Sequence, residues 1–120
     1  MKASSRRAVA AAVGAAMSKR NVSSVYDYES GQHHRHVATE AGSSASGYDY
    51  ERGAHVSGTR SGNQINLYDY GLGAHLNVTL NGNQFSGYDY DSGSHFSGTV
   101  NGNSVSLYDY ETGEHYNFSI

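Results

Sequence analysis

The chain has no cysteine, no proline and no tryptophan in its 120 residues. Without cysteine there are no disulfide staples and no thiolate metal sites, although that absence leaves the redox compartment open. Long apolar runs are missing too. The longest, residues 8–17 (AVAAAVGAAM), is ten residues and too short to span a bilayer as a helix. What is abundant is 15 glycines and 11 tyrosines. The formal charge of −3 is unevenly divided. Residues 1–20 carry Lys2, Arg6, Arg7, Lys19 and Arg20 and no acid, whereas residues 21–120 set three arginines against eleven acids, a net of −8. An array that acidic repels phosphate backbones, so nucleic acid is not an expected partner.

The boundary near residue 20 divides the chain into two parts. Residues 1–20 read in two ways. As a retained segment they form an Ala-rich helix of about three to four turns, ending before Asn21, that packs on or caps the rest. As a targeting segment, the basic start, Ser5-Arg6-Arg7 and the small apolar run resemble a short signal peptide of twin-arginine type, although Lys19 and Arg20 follow directly. The first reading implies a cytoplasmic protein and the second an exported or cell-surface one.

Residues 21–120 are a repeat array. Tyr-Asp-Tyr occurs at 26–28, 48–50, 68–70, 88–90 and 108–110. A glycine follows each first tyrosine by five residues (Gly31, Gly53, Gly73, Gly93, Gly113) and a histidine by seven (His33, His55, His75, His95, His115). A second punctuation, Ser61-Gly62-Asn63, Asn81-Gly82-Asn83 and Asn101-Gly102-Asn103, falls between one histidine and the next tyrosine. Each repeat therefore reads as two strands of about seven residues with two turns. Asn-Gly suits a type I′ hairpin turn, and in Tyr-x-x-Gly the glycine supplies a left-handed residue.

Alternation sets the faces. Ile65, Leu67 and Asp69 share one side, as do Leu76, Val78 and Leu80, giving one apolar face. With Asn81-Gly82 at the centre of a two-residue turn, Val78 stands opposite Phe85 and His75 opposite Tyr88; across the other loop Tyr88 stands opposite His95. The polar face then carries a row Tyr48, His55, Tyr68, His75, Tyr88, His95, Tyr108, His115. Small residues alternate with large ones at a 40-residue period, so that Phe85 covers Gly98 and Phe96 covers Gly87. The fold expected is an all-β antiparallel hairpin meander of five repeats after a short helix, with a β-solenoid as the alternative. A solenoid would stack the five Tyr-Asp-Tyr aspartates in a like-charge ladder. A single sheet needs its apolar face covered by the helix, by barrel closure or by another chain.

Few constellations suggest chemistry. His34 and His36 share a face at metal-compatible spacing, but no regular third ligand is evident, so no metal is expected. The Asp-x-Glu-x-Gly turns are shorter than calcium loops and are broken at Gly71, and no cofactor is implied. No nucleophile elbow or phosphate-binding loop is present, and a feature repeated five times is atypical of catalysis, so an enzyme is not expected. The 20-residue period with a Tyr-x-Tyr strand and the Thr112-Gly113 turn resembles the choline-binding repeats of cell-wall proteins, though without their tryptophans. The strand-turn-strand units rich in Gly, Asn and Ser resemble curli-type amyloid subunits. The leading expectation is a non-enzymatic structural protein that self-associates through an uncovered last strand bearing Tyr116, Phe118 and Ile120. The alternative is a carbohydrate-binding surface or wall module that uses the Tyr/His strip, with polysaccharide as its partner.

Overall fold

The structure is a computed structural model that describes residues 1–120, with the side chains of Glu40 and Ala41 left out of the description. Helix α1 (Ala3–Ser18) is followed by β1 (Val25–Asp27), β2 (Gln32–His34), β3 (His36–Ala41), β4 (Ser44–Asp49), β5 (Ala54–Ser61) and β6 (Gln64–Asp69). The chain continues through β7 (Ala74–Asn81), β8 (Gln84–Asp89), β9 (Ser94–Asn101), β10 (Ser104–Asp109) and β11 (Glu114–Ser119). All the strands lie in one antiparallel sheet in the order β2-β1-β11-β10-β9-β8-β7-β6-β5-β4-β3. Sequential hairpins make it a meander and exclude the solenoid. The sheet curls into a nearly closed barrel, because β1 pairs with β11 and β2, while a single bridge between Val22 and Ala38 ties the seam to β3.

Two turn types set the register. In each Tyr-x-x-Gly turn the glycine has φ between 63° and 70°. The aspartate of Tyr-Asp-Tyr accepts, through Oδ1, the backbone N–H two residues on, at 2.9–3.0 Å in all five repeats. Such a side-chain-to-backbone bond fixes a turn locally and explains why aspartate recurs there. The other hairpins differ from the expected type. Gly62, Gly82 and Gly102 have φ near +60°, whereas the asparagine after each does not have positive φ. Glycine at the first central position followed by a residue of ordinary φ is the type II′ pattern. The turn therefore centres on Gly82-Asn83, one residue later than expected, and the pairing shifts by two. Leu80 faces Phe85, Val78 faces Gly87 and Asn77 faces Tyr88, while Tyr88 faces His95 as the alternation implied. A shift of two preserves the faces.

The apolar face lines the barrel interior, and α1 fills it. Val9, Ala10, Ala11 and Val13 have no exposed surface, and Ala8, Ala15 and Ala16 are also buried. A helix buried all round must be apolar all round, and small side chains let the narrow wall approach it. A Cβ at Gly14 would stand 2.3 Å from Ile120 Cδ1, so a larger residue there would displace the end of that side chain. The large and small residues interdigitate as read from the sequence, with Phe85 across from Gly98 and Phe96 across from Gly87. The last strand is not an uncovered edge, which corrects the premise for association there. β11 lies between β10 and β1, Tyr116 and Phe118 are buried, and Ile120 packs partly buried against the core, because barrel closure brings the two ends of the array together.

Electrostatics complete the packing. Cations in the first turn oppose the helix dipole, so the basic start of α1 needs acids around it. The barrel supplies them, since Asp27, Asp49, Asp69, Asp89 and Asp109 all point inward and are buried. The Met1 ammonium donates to Asp109 Oδ2 at 3.1 Å and to Glu111; Arg6 reaches Asp109 at 3.5 Å and Glu29 at 3.2 Å; Arg7 reaches Asp27 at 3.3 Å. Within the wall, Arg52 donates to Asp49 Oδ2 at 2.7 Å and grips both oxygens of Asp69 at 3.1 and 2.9 Å. The charge asymmetry between residues 1–20 and the array is thus used inside the molecule.

Candidate functional site

Because α1 leaves only a cavity of about 20 Å³ in the interior, beside Ala8, Ala12, His36 and Leu67, the outer surface is where the barrel can meet other molecules. Among the described residues its exposed large apolar side chains are Tyr28, Tyr50, Tyr70, Tyr90 and Tyr110, between 48% and 65% exposed, all at the Tyr-Asp-Tyr end of the barrel. Alternation turns both tyrosines of each motif outward and the aspartate inward. In every repeat the ring of the first tyrosine lies 4.7–4.9 Å from the second tyrosine and from the histidine, edge to face. This geometry suits the quadrupoles of the rings. The first tyrosine also leans over the turn glycine, with Tyr68 Oη 3.6 Å from where a Gly73 Cβ would stand.

The structure brings the strip together, but not in the order expected. Tyr48, Tyr68, Tyr88 and Tyr108 are half-buried beneath their neighbours and pair with His55, His75, His95 and His115 within their own hairpins. The two-residue shift puts the second tyrosine beside the preceding histidine. Tyr70, Tyr90 and Tyr110 donate their N–H groups to the carbonyls of His55, His75 and His95 at 2.9, 3.1 and 3.2 Å. The more exposed ring in each motif is therefore the one outside the expected row. Its polar contacts run to the neighbouring strand: Tyr90 Oη to Asn77 Nδ2 at 3.3 Å, Tyr110 Oη to Ser97 Oγ at 3.4 Å, and Tyr50 beneath the Arg35 guanidinium at 4.3 Å.

Shallow grooves adjoin this belt on β7–β11. One, of about 480 Å³, is lined by Thr79, Ser86, Ser97, Thr99, Tyr108 and His115 among others. Another of about 480 Å³ lies between Asn77, Tyr88, His95, Ser97 and Tyr110. Both are lined by a mixture of hydroxyl and amide side chains with aromatic rings, Phe85 and Tyr108 in the first and Tyr88, Phe96 and Tyr110 in the second.

The first repeat departs from the others. At the inward position held by Val56, Leu76, Phe96 and Tyr116 stands His34, and where Gly58, Val78, Gly98 and Phe118 stand is His36. Both histidines are buried. Burial pushes His36 down from 6.5 to about 4, with Arg52 and Arg7 acting in the same direction and Asp49 opposing them. Burial pushes the Asp49 carboxyl up, but hydrogen bonds from Arg52 and the nearby His36 outweigh it, leaving the group below its ordinary range. His34 is held by Ser30 on one ring nitrogen and Glu51 on the other. His34 and His36 share the inward face, as their spacing implies. They are also the two places where the repeat is broken, which shows once the repeats are aligned position by position.

No family model, curated protein or solved structure matches this chain.

Proposed function

We propose that the chain is a binding module that recognises carbohydrate chains through its outer Tyr/His belt. The observation that carries this reading is that, among the described residues, the exposed large apolar side chains are five tyrosines in one belt, beside grooves lined by Ser, Thr and Asn together with aromatic rings. Sugar rings present apolar C–H faces ringed by hydroxyls, so they call for aromatic surface next to small hydrogen-bonding groups. Repetition suits a polymer, because each repeat offers the same weak subsite and several engaged at once raise the avidity. The filled interior supports placing the ligand outside.

Self-association is the second reading, and the observation favouring it is the same exposed belt, since the apolar face and the last strand are already covered. Two belts meeting would bury tyrosine against tyrosine. The buried α1 supports retention of residues 1–20 in the folded protein rather than their removal as a signal. Co-sedimentation of the full chain with a panel of insoluble polysaccharides tests the leading reading: retention on at least one is expected, and failure on all of them rejects it.

A further inference from the structure

We propose that Ser30, His34 and Glu51 form a nucleophilic acyl-transfer site that cleaves small activated esters. Ser30 Oγ lies 2.8 Å from His34 Nε2, and His34 Nδ1 lies 2.7 and 2.8 Å from the two oxygens of Glu51. An ionised carboxylate only accepts hydrogen bonds, so Glu51 holds the proton of the neutral ring on Nδ1. Nε2 is then the acceptor, and the serine hydroxyl donates to it. The Ser30 hydroxyl also lies 3.3 Å from the Asp27 carbonyl, a longer contact than that to Nε2. Nucleophile, base and orienting acid thus stand in the relation that activates a serine for acyl transfer.

The rest of the molecule supports this arrangement. His34 is buried where four other repeats place an apolar side chain, while Ser30 sits exposed in the β1–β2 turn. The base is held firmly and the nucleophile is open to solvent. Arg7 Nη2 lies 3.6 Å from Glu51 Oε2 and also bonds Asp27. Arg7 is a positioning residue here. The fourth repeat is an internal control. Ser92 occupies the place of Ser30, but four residues on stands Phe96, and Ser92 Oγ bonds Asp89 Oδ2 at 2.9 Å. It has no imidazole behind it.

In the reaction, Ser30 Oγ attacks the acyl carbonyl as its proton passes to Nε2. The carbon–oxygen bond to the alcohol breaks, and the departing alkoxide takes that proton. Water then adds to the acyl-serine through the same base, releasing the carboxylic acid and regenerating the serine. Ester and water become acid and alcohol, with no oxidant or further reactant. This activity is independent of the belt.

The test uses p-nitrophenyl acetate on the full chain, with acid quenching and mass spectrometry of the acetylated peptide. Any exposed imidazole reacts with such esters, so the decisive reading is acetyl on Ser30 itself. Acetyl-Ser30 should form in the parent chain and be absent from S30A. Its formation should slow by about 10²-fold in E51Q, with a thermal melt matching the parent showing that the fold is kept. Removal of the hydroxyl in S92A should change nothing. If the parent chain carries no acetyl on Ser30, or if E51Q acetylates Ser30 at the parent rate, the proposal is wrong.

Discussion

His36 stands directly across the β3–β4 ladder from Asp49, and both side chains are buried. Burial depresses the imidazole to about 4, so the neutral ring is the form the fold accepts. The unfolded chain titrates near the ordinary value of about 6.5. The stability is therefore complete above pH ~6.5 and is lost as the pH falls toward ~4, on the order of 3 kcal/mol in all at about 1.4 kcal/mol per unit. H36V should flatten urea-melt stability between pH 6.5 and 4.5. An unchanged slope would assign the pH sensitivity to other groups.

Arg7 is expected to matter more to stability than a surface cation would. Its guanidinium and the Asp27 carboxylate are both largely buried, and removing one partner of such a pair leaves a charge that burial penalises. Arg7→Met should cost about 3 kcal/mol in chemical denaturation. Adding Asp27→Asn to that variant should recover part of the loss; a double variant as weak as the sum of the two single ones would show that the pair is not coupled.

Much of this architecture is legible in the sequence because its signals are local. The Tyr-Asp-Tyr period, the inward aspartate read at Asp69, and the fit of Phe85 against Gly98 all follow from alternation. What is not legible depends on contacts far apart in the chain. Nothing near Val25 or Phe118 announces that β1 will pair with β11, and the alanines of α1 imply a helix that packs on the array but not one that the array encloses. The pairing differs from the Asn-Gly expectation because glycine takes the first central position and asparagine the second, which gives type II′. The Ser30–His34–Glu51 cluster crosses from one repeat to the next, so it escapes motif reading. Its trace is the two histidines at positions where the other repeats are apolar or glycine.

The strand glycines should tolerate no side chain. A Cβ on Gly98 would stand 2.0 Å from the Ser106 carbonyl oxygen and 2.5 Å from the Phe85 ring. A ring can move, but a laddered carbonyl cannot. Gly98→Ala should destabilise by about 2 kcal/mol or more. Phe85→Leu in the same chain should not rescue it, because the carbonyl remains. A full rescue in the thermal melt would show that the ring alone sets the limit.

The belt makes a sharper demand on its exposed tyrosines than on its half-buried ones. Tyr70 and Tyr90 are 65% and 57% exposed, whereas Tyr68 and Tyr88 support them from beneath. Stacking on a sugar is worth about 1 kcal/mol per ring, as aromatic contacts generally are. Two lost rings should then weaken binding about thirtyfold. The direct measurement compares co-sedimentation isotherms of the parent chain and Y70A/Y90A on a polysaccharide that retains the parent, with circular dichroism confirming the same fold. A drop of that order with an unchanged spectrum is the predicted result; equal retention of the two chains would contradict the belt as the binding surface.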